Sequence, residues 1–168
     1  INFENNSNES LQSLKDSLLG RSNRIECKSH VFNCLGKVDA EIVGGNLSIL
    51  YSLLGSNSDI DTEGKILFIE DVDEYLYHID RMMMNLKRNG KLAKLKGLIV
   101  GGMNDMNDNE IPFGKSAEEI ILAYTKEYDY PICFGFPAGH INNNHTIMLG
   151  VNSQLSVTKR KVILTTKL

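Results

Sequence analysis

The sequence is short of cysteine, of positive charge and of long apolar runs, and each shortage excludes something. Its three cysteines, Cys27, Cys34 and Cys133, are odd in number and lack CxxC spacing. They define neither a disulfide framework nor a zinc knuckle, and they fit a reducing compartment as small, buried apolar residues. Lysine and arginine total 18 against 21 acidic residues, a net charge of −3, so there is no basic footprint for nucleic acid. No apolar run approaches the roughly 18–20 residues of a membrane span. Repeats and low-complexity linkers are absent too, and the first residues show no signal-peptide pattern. The chain opens on Ile1 and a polar stretch, Asn2 to Ser10, which reads as a cut inside a longer protein. Residues 1–9 are expected to fray, and 10–168 to form one domain.

What is present is an alternation of strand-like and helix-like segments. With 168 residues, 42% of them hydrophobic, the chain can bury a single core. Leu11, Leu14, Leu18 and Leu19 follow helical spacing over Ser10–Leu19, with Gly20 as a stop. Residues 22–37 read as irregular or short-strand material. Val38–Val43 reads as a strand, Gly44-Gly45 as a turn, and Asn46 as the N-cap of a helix that ends at Gly55. Lys65–Ile69 is a second strand. Val72, Tyr75, Leu76, Ile79, Met82, Met83 and Leu86 then mark an amphipathic helix before Gly90. Gly97–Val100 is a third strand. Ser116 and Glu119 form a capping box, Pro131–Phe136 is a short strand, and Gln154–Thr165 is a hairpin turning near Lys159-Arg160. Strands alternating with helices imply parallel pairing, and the strand-rich end implies antiparallel pairing. The expected class is α/β, with a mixed parallel and antiparallel sheet and flanking helices.

Reactive groups in such sheets gather beyond the carboxyl ends of strands. Two places qualify. Glu70-Asp71 follows the strand Lys65–Ile69, where it serves either as a site acid or as the first turn of the next helix. His140 follows a strand in Phe136-Pro137-Ala138-Gly139-His140, where Pro137 and Gly139 can fix the backbone and admit another segment closely. Such a histidine can act as general base if a carboxylate holds its Nδ1, and Glu70 is the natural partner. The alternative is a solvated loop histidine in a binding module, with Glu70 and His140 well over 10 Å apart.

The nucleophile is missing. No GxSxG elbow occurs, and Ser48, Ser52, Ser116 and Ser153 sit in helical, capping or turn contexts. A metal site built from His140, His145, Asp59 and Asp61 has poor spacing, with Asn142–Asn144 between the histidines. Gly44-Gly45-Asn46 lacks the lysine of a Walker A loop and the third glycine of a dinucleotide fingerprint. A metal is not expected, and the glycines read as a turn followed by an N-cap.

Several segments, taken in order, carry a resemblance: Ser13-Leu14-Lys15 with Leu19-Gly20, Val43-Gly44-Gly45-Asn46-Leu47-Ser48, Gly64 to Asp71, Tyr77 to Met82, Gly97 to Gly102, Pro137-Ala138-Gly139-His140, and Leu149-Gly150. From about Leu11 to Val157 the chain resembles the C-terminal half of the LD-carboxypeptidase family, which includes murein tetrapeptide carboxypeptidases and microcin-immunity peptidases. The resemblance implies a swivelling β/β/α domain and a Ser-His-Glu triad that hydrolyses an L,D-amide near a peptide's carboxyl end. Glu70 matches the triad acid and His140 the triad base. The serine would come from an N-terminal domain, so this chain alone would be inert. Peptidoglycan recycling in the cytoplasm, a homodimer and a cofactor-free reaction are further implications. The substrate would be a murein peptide or a peptide–nucleotide antibiotic. Two departures stand out: Gly55-Ser56-Asn57 replaces a common Gly-Thr-Pro, and the loop Met103–Asn109 is unusually polar.

Overall fold

The computed structural model describes residues 7–167. Eleven elements follow one another: α1 (Asn8–Leu18), β1 (Arg24–Lys28), β2 (Gly36–Asn46), α2 (Leu47–Leu53), β3 (Ile66–Val72), α3 (Leu76–Arg88), β4 (Gly97–Asn104), α4 (Ala117–Thr125), β5 (Ile132–Cys133), β6 (Asn152–Val157) and β7 (Lys161–Thr166). The strands form one seven-stranded sheet in the order β1-β7-β6-β2-β3-β4-β5. This is the mixed α/β sheet that the alternation of segments predicts.

β2 joins the two halves of the sheet. Its first part, Gly36–Glu41, pairs antiparallel with β6, and its last part, Ile42–Asn46, pairs parallel with β3. Gly44 and Gly45 therefore do not turn the chain as expected; they continue the strand at φ 138° and 152°. The reason is crowding at Gly44, where a Cβ would lie 1.9 Å from the Phe68 carbonyl oxygen. Only glycine combines that conformation with that approach.

Two apolar clusters flank the parallel strands, and strand alternation assigns each residue to one of them. Leu67, Ile69, Leu98 and Val100 face the helices and pack with Ile79, Met82, Met83 and Leu86 of α3 and Ile120 and Ile121 of α4. Met82 and Met83 are thus core residues. Ile66, Phe68 and Ile99 point the other way, toward Phe136, Ala138, Leu155, Val157, Val162 and Leu164.

Several boundaries differ from expectation. α1 starts at Asn8, because the Ser7 side chain accepts from the Ser10 N–H and caps it; residues 1–6 lie outside the described part. α3 starts at Leu76 instead of Val72, since β3 continues through Glu70, Asp71 and Val72. The strand expected over Pro131–Phe136 is ladder-paired only at Ile132–Cys133. The capping box at Ser116 and Glu119 is present, and so is the terminal hairpin. No described helix is long and apolar enough to cross a membrane.

Candidate active site

Glu70 and Asp71 are strand residues, not a first helical turn, and the alternation along β3 sends them to opposite faces of the sheet. Glu70 lies on the side of Phe68 and Ala138. Between the pairs Ile69↔Val100 and Asp71↔Met103 the register shifts, so Gly101 and Gly102 of β4 together face Glu70 across the ladder. This two-against-one arrangement is a β-bulge. It brings the segment Phe136–Ile141 across the carboxylate: a Cβ on Gly101 would lie 2.4 Å from the Ala138 carbonyl oxygen, and one on Gly102 would lie 2.7 Å from Ile141 Cγ2. The Gly102 N–H donates to the Ala138 carbonyl at 2.9 Å.

The structure brings Glu70 and His140 together. Glu70 Oε2 lies 2.7 Å from His140 Nδ1 and accepts from the His140 backbone N–H at 3.1 Å. Glu70 is 5% exposed, whereas the His140 side chain is 58% exposed. A buried carboxylate bonded to Nδ1 selects the tautomer that carries its proton there, leaving the Nε2 lone pair open. Such an imidazole can take a proton from an approaching hydroxyl.

The loop under His140 is held at several points. Asn104 Nδ2 donates to the His140 carbonyl at 2.9 Å, and the Gly139 N–H donates to Asn144 Oδ1 at 3.0 Å. The His145 N–H donates to the Pro137 carbonyl at 2.8 Å. The Asn104 carbonyl accepts from Asp73 N–H at 3.1 Å, so one residue ties the β3–α3 turn to the histidine loop. The sequence marks Asn104 in no way and Asn144 only as a poor metal ligand between the histidines. Their signal was only that of polar loop residues.

Asp71 faces the helices and serves α2, not α3. Buried on that side, it accepts from Asn46 Nδ2 at 2.8 Å, the Ser48 N–H at 3.0 Å and the Ser48 hydroxyl at 2.6 Å. The α2 N-terminus thereby gains a fixed anion in addition to its Asn46 cap. Glu74 lies 3.1 Å from the same hydroxyl and 2.7 Å from His78 Nδ1.

The other candidates stay apart from the pair. Ser48 is committed to carboxylates, Ser52 donates to the Ile49 carbonyl and Ser116 caps α4. Ser153 lies in β6, a strand and not the turn expected, with its hydroxyl buried and unpartnered. None of the four is bonded to His140. Asp59 pairs with Lys91 and accepts from the Gly55 N–H. His145 packs near Ser13 and Asn23, away from the pair; burial holds its imidazole below the ordinary range, with Glu9 opposing. Burial also pushes the Cys27 thiol up to about 11 and raises those of Cys34 and Cys133, which makes them poor nucleophiles at neutral pH.

A carboxylate–imidazole pair at the carboxyl ends of parallel strands lies where α/β sheets gather their reactive groups, and such a pair can do acid–base chemistry. Comparison with known proteins gives the family. The family model described as "LD-carboxypeptidase C-terminal domain" matches residues 39–155, and the chain belongs to that family. It is 36% identical over 129 residues to a probable murein peptide carboxypeptidase of Bacillus subtilis, covering 77% of this chain and 40% of that protein. It is 26% identical over 163 residues to the microcin C7 self-immunity protein MccF of Escherichia coli, covering 95% and 46%. Among solved structures, the muramoyltetrapeptide carboxypeptidase of Oxalobacter formigenes superposes with a TM-score of 0.87 at 25% identity, covering 96% of this chain and 55% of that one. The chain thus spans about half the length of the relatives it matches.

Proposed function

We propose that this chain supplies the base, His140, and its orienting acid, Glu70, to a serine-type LD-carboxypeptidase acting on murein peptides. The nucleophile would come from a further domain of the same protein. The observation that carries the reading is the 2.7 Å contact between a buried carboxylate and the Nδ1 of an exposed imidazole. In the reaction, Nε2 takes the hydroxyl proton as the serine oxygen attacks the amide carbonyl. The imidazolium, stabilised by Glu70, returns that proton to the leaving amine, and water then hydrolyses the acyl-enzyme by the same route. Nothing in this sequence of steps calls for a metal or cofactor. A cytoplasmic place in peptidoglycan recycling and assembly as a homodimer complete the proposal.

The closeness of the pair weighs against the binding-module alternative, which needed a wide separation. Between substrates, the greater identity to the murein relative favours murein peptides over a peptide–nucleotide antibiotic. The test is hydrolysis of an L,D-tetrapeptide by the complete polypeptide encoded by the gene. His140→Ala should lower kcat by about three to four orders of magnitude, and the isolated chain should be inactive. Near-normal turnover by the variant would overturn the triad role. A preference for the peptide–nucleotide would overturn the substrate.

A further inference from the structure

α1 is amphipathic in the wrong sense for a helix lying on this domain. Its serines face inward and its leucines outward. Ser10 and Ser13 are buried, while Leu11, Leu18 and Leu19 are 38%, 78% and 56% exposed. With Leu14 and Lys15 they line one continuous, largely apolar surface. No α1 residue belongs to either apolar cluster of buried residues. An eleven-residue helix is marginal in water, and helices of this length persist mainly by packing an apolar face. The packing face of α1 therefore has its partner outside the described residues.

The inward face indicates what that partner is. Ser7 Oγ donates to Asn143 Oδ1 at 2.6 Å, and Ser10 Oγ lies 3.4 Å from the same atom. Ser13 Oγ accepts from the Thr146 N–H at 3.0 Å. Asn143 and Thr146 belong to the loop that carries His140, so α1 is stitched to the flank of the candidate site. α1 therefore borders the loop that a body presenting a hydroxyl to His140 Nε2 has to approach. A second copy is a poorer occupant, because four leucines on one short helix fall well below the ~800 Å² per partner of a stable interface. A domain in the same polypeptide needs less, since the tether keeps it at high effective concentration. The relatives have room for one, with roughly half their length outside the matched part.

We propose that the Leu11–Leu14–Leu18–Leu19 face of α1 is the docking surface for the domain that brings the nucleophile. One docking event then covers these leucines and sets the hydroxyl against His140. The proposal rests on the functional reading above.

Hydrogen exchange over residues 8–18 tests it, measured in this chain and in the complete polypeptide its gene encodes, each with and without Leu18→Arg. Leu18 touches neither core, so the substitution should leave the Tm of this chain within about 2 °C. The α1 amides should exchange at least about tenfold faster in this chain than in the complete polypeptide. Leu18→Arg, and independently Leu19→Arg, should abolish the difference and lower kcat for the L,D-tetrapeptide about tenfold or more. Slow exchange in this chain as a monomer would overturn the proposal. So would protection that tracks dimerisation, protection insensitive to both substitutions, or a gene encoding no further domain. Failure of the triad reading is separable: His140→Ala would then keep its turnover while α1 stayed protected by the domain.

Discussion

Gly139 leaves the space that Glu70 fills: a Cβ at Gly139 would stand 2.7 Å from Glu70 Oε2, the oxygen shared by both His140 contacts. Gly139 also sits at φ 111°, a conformation that side chains rarely adopt. Gly139→Ala should therefore separate the pair as well as strain the loop. The expected loss is about 1–3 kcal/mol of stability, read from the urea midpoint of this chain. A retained His140 Nδ1 proton resonance in the variant would contradict this role for Gly139.

Glu70→Gln separates charge from shape. Glutamine fills the same space without the charge, and wherever its NH2 group instead of its oxygen faces Nδ1 the imidazole proton moves to Nε2. The complete polypeptide should lose about 10⁴-fold in kcat, by analogy with triads whose acid is replaced by its amide, with KM little changed. Nitrogen NMR of the imidazole in this chain should show the tautomer preference weakened. An unchanged tautomer with normal kcat would remove Glu70 from the mechanism.

Asp71, its neighbour, should behave differently. Asp71→Ala leaves Asn46 Nδ2, the Ser48 N–H and the Ser48 hydroxyl without their shared acceptor. The cost should be about 2–4 kcal/mol of stability in chemical unfolding, appearing as a structural loss centred on α2. A change below about 0.5 kcal/mol would mean that water replaces the carboxylate without penalty.

His145 gives a pH dependence. Because burial lowers its folded pKa, the unfolded chain binds the proton first as pH falls. Between the unfolded value near 6.5 and the lower folded value, the unfolded state holds more protons, so the His145 contribution to stability declines with falling pH. Below the folded value the decline stops. Unfolding midpoints from about pH 8 to 5 should show this slope, and His145→Gln should flatten it. The same slope in the variant would assign it to other groups.

Much of the fold, and the pairing of Glu70 with His140 in the candidate site, was legible in the sequence, for identifiable reasons. Local signals were reliable where a residue type has a single structural use, as at the Asn46 cap, the Ser116–Glu119 box and the apolar stripe from Ile79 to Leu86. Glu70 and His140 stood out because each follows an apolar run at a strand's end. Gly44-Gly45 misled, since glycine marks both turns and close backbone contacts, and only the Phe68 carbonyl decides between them. The β3–α3 boundary misled because Val72 and Tyr75 continue the helical period while the backbone is still extended or turning. The outward leucines of α1 were invisible, for periodicity reveals a face but not which way it points. Asn104 acts through a carbonyl 36 residues away, a relation no local pattern encodes.

The placement of Glu70 and Asp71 on opposite faces of β3 makes the strand a parity counter. An insertion or deletion of a single residue between Gly64 and Glu70 would exchange the two acids. It would turn the shorter aspartate toward His140 and the longer glutamate toward α2. Length changes in homologues should therefore collect in the loop before Gly64, where Asn57–Glu63 can absorb them, and spare the seven residues of β3.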